Sequence, residues 1–96
     1  MNMSLTMLHS GQIRAARALL GWRQEDLSDV SGVAIATIQR IEKKEGPVMG
    51  NVSTQFRIQH AFERAGIHFI DTDAVGGVGV RLELSKSMRR NQKHAK

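Results

Sequence analysis

The 96-residue chain contains no cysteine. A disulfide framework and a thiolate metal site are therefore excluded, and the expected setting is a reducing cytoplasm. Aromatic residues are scarce, with only Trp22, Phe56, Phe62 and Phe69 present. The core must then be mainly aliphatic, which suits packed helices. No apolar run approaches the length of a membrane span. Met1 to Ser10 has neither a basic n-region nor a long apolar run, so no signal peptide and no membrane partner are expected.

Acidic residues are missing from one region. The last eleven residues carry Lys86, Arg89, Arg90, Lys93 and Lys96 without an acid, whereas residues 1–85 hold nine basic and nine acidic side chains. The whole net charge of +5 therefore sits in the tail. A basic balance points to nucleic acid or an anionic membrane. A tail of this kind serves equally well as a solubilising segment. The case for a polyanionic partner must rest on pattern.

The hydrophobic content of 41% fits one small folded domain. Residues 1–9 read as a flexible start. Ser10 is a candidate helix cap. Ile13, Ala16, Arg17 and Leu20 recur at helical spacing, and Gly21 follows as a stop, giving a first helix over about 11–20. Gln24 to Val30 reads as a short second helix with Leu27 and Val30 on its apolar side. Gly32 permits a left-handed turn. Ile38 and Ile41 mark a third helix over about 34–44, and two short helices around a glycine turn make the helix-turn-helix arrangement. Gly46 to Asn51, with the only proline, is a loop. Ser53 or Thr54 is a candidate cap for a fourth helix, whose buried stripe is Ile58, Ala61, Phe62 and Ala65 and whose end is Gly66. Ile67–Ile70 reads as a strand, and Val78, Val80, Leu82 and Leu84 alternate as a second. The organisation expected is residues 1–9 as a flexible N-terminus, 10–66 as the helical domain, 67–85 as a hairpin and 86–96 as a disordered basic tail. An isolated hairpin is marginal, so this one must pack on the fourth helix or pair with another subunit.

Three stretches carry a resemblance. Gln24-Glu25-Asp26-Leu27, Ser31-Gly32-Val33 and Thr37-Ile38-Gln39-Arg40-Ile41-Glu42 resemble the Cro/CI-type (XRE) helix-turn-helix family of lambda-repressor-like domains. Arg17-Ala18-Leu19-Leu20-Gly21-Trp22 looks like that family's first helix and its exit, and the resemblance spans about residues 12–65. It implies a mainly α fold, four helices followed here by a C-terminal β-hairpin, and binding of double-stranded DNA. In the family, the positions matching Ile35, Ala36, Gln39 and Arg40 face base edges, and Gln24 contacts backbone phosphate. Arg40 is suited to a bidentate contact with guanine, Gln39 to adenine, and Ile35 and Ala36 to thymine methyls. Thr37, Lys43, Lys44 and Asn51 are candidates for phosphate.

Each assignment has a plainer alternative. Gln24 also reads as a surface glutamine, Arg40 as a partner of Glu42 or of solvent, and Lys43 and Lys44 as a solvated face beside Glu42 and Glu45. The sequence also departs from the family at Ala34 and Arg23, where capping side chains are usual; each loss is typically worth about 1 kcal/mol. Ile35 and Ala36 are apolar at positions that are often polar, and this equally suits a surface that meets protein.

His9, His60, His68 and His94 lack metal-ligand spacing and read as surface residues. Gly76-Gly77-Val78-Gly79 precedes a strand and lacks a P-loop lysine, so it reads as a turn. Asp71 and Asp73 read as turn residues. No enzyme chemistry and no cofactor are expected. The leading expectation is a homodimeric, sequence-specific transcriptional regulator, a repressor, reading the major groove with helix 34–44. The alternatives are an antitoxin that neutralises a toxin protein and autoregulates its operon, and a protein-interaction module built on the Ile35 face.

Overall fold

Glycine punctuation and apolar stripes divide the chain into helices at almost the expected places. The computed structural model describes residues 8–84, so the basic tail lies outside the described residues. Its elements are α1 (Ser10–Leu20), α2 (Gln24–Ser31), α3 (Ile35–Lys43), α4 (Val52–Arg64), β1 (Ile67–Ile70) and β2 (Gly79–Leu82). The fold is mainly α, four helices followed by an antiparallel hairpin.

The start of α1 differs from expectation. His9, not Ser10, is the cap: its Nδ1 accepts from the Gly11 N–H at 3.1 Å, and the His9 N–H donates to Gln12 Oε1 at 3.0 Å. Ser10 is already helical and fully buried. Leu8 and His9 are not frayed either. Leu8 is buried, and the chain pairs with the 46–48 segment through Ser10 N–H to Gly46 O at 2.9 Å and Val48 N–H to Leu8 O at 2.7 Å. An apolar side chain two residues before a helix gains by entering the core, and its backbone is satisfied by the neighbouring strand-like segment.

Helix α1 ends where Gly21 takes φ 69°, a left-handed conformation that lets the Trp22 N–H reach Arg17 O at 2.9 Å. Helix α2 ends at Gly32 with φ 75°. Ser31 and Ser28 then lace the turn: the Val33 N–H donates to Ser31 Oγ at 3.1 Å, and Ser28 Oγ donates to Val33 O at 2.7 Å. This explains a second correction. Val30 is exposed while Ser31 is buried, because Ser31 is the α2 residue whose side chain is needed inside the turn. As expected, neither Arg23 nor Ala34 makes a side-chain cap bond. At α2 the Asp26 carboxylate compensates by accepting from the Arg23 N–H at 2.8 Å. Helix α4 is capped by Asn51, whose Oδ1 accepts from the Thr54 N–H at 3.1 Å, rather than by Ser53 or Thr54.

The core is aliphatic around one aromatic. Leu8, Ile13, Leu27, Ile38, Ile58, Phe62 and Ile67 are fully buried, with Ala16, Val33, Val48 and Ala61 between them. Trp22 stacks on Phe62 at 5.6 Å between ring centroids, and Phe69 of β1 meets the same ring at 6.2 Å. Each fully buried aliphatic side chain contributes about 1.5–3 kcal/mol, so this cluster supplies most of the driving force.

The hairpin pairs within its own chain, with Ile67 opposite Leu82 and Ile70 opposite Gly79. It covers α4 with β1 and α1 with β2. Only Val80 and Leu82 of the expected alternation are half-buried; Val78 and Leu84 lie outside β2 and are exposed. Gln12 ties the loop end of the hairpin to α1, its Nε2 donating to Gly79 O at 3.0 Å and to Ile70 O at 3.4 Å. Between the strands, Asp73 acts as a turn residue, its Oδ1 accepting from the Val75 and Gly76 N–H groups at 2.8 and 3.0 Å.

Candidate nucleic-acid interface

Helix α3 rests on its inner side chains. Ile38 is fully buried, Ile41 is partly buried, and Val33 anchors the turn before them. The helix therefore turns a fixed face outward. On that face Ala36, Gln39, Arg40 and Lys43 are exposed, followed by Lys44 just past the helix. Ile35 and Thr37 are half-buried. Ile35 is thus less of an exposed apolar surface than its sequence position suggests.

The acids of this region decide its electrostatics. Glu42 is buried and bound by Arg17 of α1 in a two-pronged contact, Nη2 to Oε1 at 2.7 Å and Nε to Oε2 at 2.8 Å. This bond raises the Arg17 pKa further above its ordinary value. Glu45 is held by Arg14 at 3.2 Å, and the same guanidinium donates to the Glu42 backbone carbonyl at 2.7 Å, near the C-terminal end of α3. The expected alternative, Arg40 paired with Glu42, is therefore overturned: Glu42 points inward to α1. Among the described residues Arg40, Lys43 and Lys44 have no ion-pair partner. Of the two acids in this run, Glu42 is buried behind α3 against Arg17, while Glu45 stays exposed beside the three cations and pairs with Arg14 at the surface.

Gln24 opens α2, as expected, but its Nε2 is already donated to Glu42 Oε1 at 3.2 Å. That leaves its carbonyl oxygen and second N–H outward. Asn51 commits its oxygen to the α4 cap and keeps its amide N–H groups. Thr37, Arg40, Lys44 and Asn51 are brought together around one groove between α3 and the first turn of α4, along with Thr54 and Gln55. Gln24, Ile35, Ala36, Gln39 and Lys43 lie outside that groove.

Two residues in this arrangement escaped the sequence reading as functional positions, Arg17 and Glu42. A signal existed: Arg17 interrupts the apolar stripe of α1, and a charge inside such a stripe implies a buried partner. Which acid supplies it is not visible locally.

Residues 13–50 match a family model described as helix-turn-helix. This matched segment agrees with the resemblance to the Cro/CI-type helix-turn-helix family carried by residues 24–42. No curated protein matches the chain. The match begins at Ile13 and ends at Gly50, so it covers α1 to α3 and the loop before α4. In helix-turn-helix proteins the second helix of the motif enters the major groove and the first crosses the backbone. At the family level the matched segment supports a DNA-binding regulator. Among the described residues no helix is long and apolar enough to cross a membrane.

Proposed function

We propose that this chain is a sequence-specific repressor that binds double-stranded DNA as a homodimer, with α3 in the major groove. The observation that carries this reading is the trio Arg40, Lys43 and Lys44 on and just past the outer face of α3, without an ionic partner among the described residues, with Glu42 and Glu45 paired to arginines of α1. Such a face attracts phosphate and leaves Arg40 free for a base edge. In this reading Ile35, Ala36, Gln39 and Arg40 meet bases, the half-buried Ile35 only by its tip. Gln24, Thr37, Lys43, Lys44 and Asn51 meet phosphate, the last through its free amide.

One module contacts a single half-site, and two-fold pairing supplies the second. With the hairpin paired internally, the outward apolar residues Val52 and Phe56 of α4, flanked by Val30 of α2, support contact through α4. Residues 10–66 form the DNA-binding unit, and 67–84 brace it.

Selection of bound sites from random DNA tests the proposal, since it reports both binding and half-site spacing. The expected outcome is a two-fold-symmetric site. Arg40→Ala should then lose about 1–3 kcal/mol at one base position per half-site. Recovery of no preferred sequence at physiological salt refutes it. Binding to DNA only together with a co-purified small protein would favour the antitoxin role instead.

A further inference from the structure

The groove beside α3 is deep enough to hold a ligand. It is a cavity of about 380 Å³ between the C-terminal half of α3, the loop after it and the first turn of α4. Small-molecule sites typically occupy about 300–1,000 Å³ and combine apolar walls with a few convergent polar groups. Here the apolar wall is Ile41, Val48 and Met49. The polar group inside is Gln55, only 7% exposed. Its side-chain carboxamide lines the cavity and has no hydrogen-bond partner among the described residues. Its polar atoms are reachable from the cavity, where water or a ligand completes their hydrogen bonds.

The rim carries Arg40 and Lys44, neither with an acidic partner among the described residues. Glu45 also lines the cavity, but its carboxylate is engaged by Arg14 at 3.2 Å. The arrangement runs from two free cations at the mouth, past an unpaired carboxamide, to an aliphatic wall. Its complement is an anion with a short apolar body.

We propose that this cavity binds a small organic carboxylate, and that occupancy competes with DNA. The carboxylate sits against Arg40 and Lys44, its apolar body covers Ile41 and Val48, and Gln55 satisfies a polar atom of the ligand or its bound water. The competition rests on the DNA-binding reading; the site itself does not. Arg40 and Lys44 serve both occupants, so each must weaken the other by the same factor at equilibrium.

Titration of the full chain with phenylacetate, followed by NMR of the Gln55 side-chain amide and the Ile41, Val48 and Met49 methyl groups, tests the site. Phenylacetamide is the uncharged control. Saturable shifts confined to these groups are expected, with phenylacetamide weaker by about tenfold or more, because a charged hydrogen bond is lost. Lys44→Gln and Gln55→Leu should each weaken binding severalfold, and spectral dispersion reports whether either variant has unfolded. Lys44 is exposed, so its variant keeps the test open even if Gln55→Leu fails to fold. No saturable shift at millimolar phenylacetate overturns the site. Equal binding of phenylacetamide, or shifts unchanged in Lys44→Gln, overturns the anion assignment. These measurements contain no DNA, so their failure leaves the repressor reading standing. In a second arm, saturating phenylacetate should weaken binding to the selected DNA site relative to sodium chloride at equal ionic strength. Unchanged DNA affinity overturns the competition.

Discussion

The substitution Glu42→Ala strips Arg17 and Gln24 of a shared partner at the contact between α1 and α3. The Glu42 side chain is 5% exposed and that of Arg17 is 20% exposed, so the pair is largely but not wholly shielded from water. Breaking a buried pair from one side costs about 3–5 kcal/mol, and an exposed pair is worth at most about 1 kcal/mol. Arg17 keeps a bond to the Trp22 carbonyl at 3.0 Å, which softens the loss. The expected destabilisation is therefore about 2–3 kcal/mol, below the fully buried value. For a domain of this size that corresponds to a fall in Tm of about 10–20 °C. Far-UV circular dichroism during heating and urea titration both measure it. The double variant R17M/E42L replaces the pair with apolar side chains of similar reach and should recover most of the loss, because desolvation then no longer opposes folding. A loss below about 0.5 kcal/mol for Glu42→Ala, the range of an ordinary surface change, refutes the reasoning. So does an R17M/E42L loss equal to the sum of the losses of R17M and E42L taken singly, since no coupling would then exist.

Three further outcomes follow from the same geometry. Gln12→Ala removes the donor to Gly79 O and Ile70 O and the acceptor for the His9 N–H, and should cost about 1–3 kcal/mol, with faster amide exchange in β1 and β2 while α3 stays protected. Phe62→Ala opens a void under Trp22 and Phe69 and should cost about 3–5 kcal/mol by urea denaturation; a smaller loss means the rings collapse into the space. Asp26 and Asp73 are held below the ordinary carboxylate pKa of 3.8, chiefly by the backbone N–H of Arg23 and by those of Val75 and Gly76. The folded chain thus binds fewer protons than the unfolded one, so their contribution is complete above that value and disappears as pH falls through the lowered folded pKa values. The variant D26N/D73N should lose less stability than the parent between neutral pH and strong acid; an identical acid profile counts against both bonds.

Much of the helical frame was readable because its signals are local. Gly21, Gly32 and Gly66 each close a helix with positive φ, and Ile13, Ala16, Leu27, Ile38, Ile58 and Phe62 repeat on inner faces. The misassigned details all involve a polar atom choosing between neighbours. His9 caps α1 where Ser10 looked suitable, and Asn51 caps α4 where Ser53 or Thr54 did. Val30 faces out because Ser31 is needed in the turn. Composition does not rank such choices; they depend on where the preceding chain enters.

By itself, the sequence determined the order of helices, the glycine turn before α3 and the helix-turn-helix resemblance, because periodicity and turn chemistry act over a few residues. Only the tertiary structure decided what the outer face of α3 presents. Glu42 and Glu45 lie beside Lys43 and Lys44 in the chain, yet they bind Arg17 and Arg14, 25 and 31 residues earlier. Packing α1 against α3 brings those arginines within reach and shields the Arg17–Glu42 pair from water. Among the described residues the neighbouring cations are left without an ionic partner. The cavity lined by Gln55 likewise forms only once α4 packs against the loop behind α3.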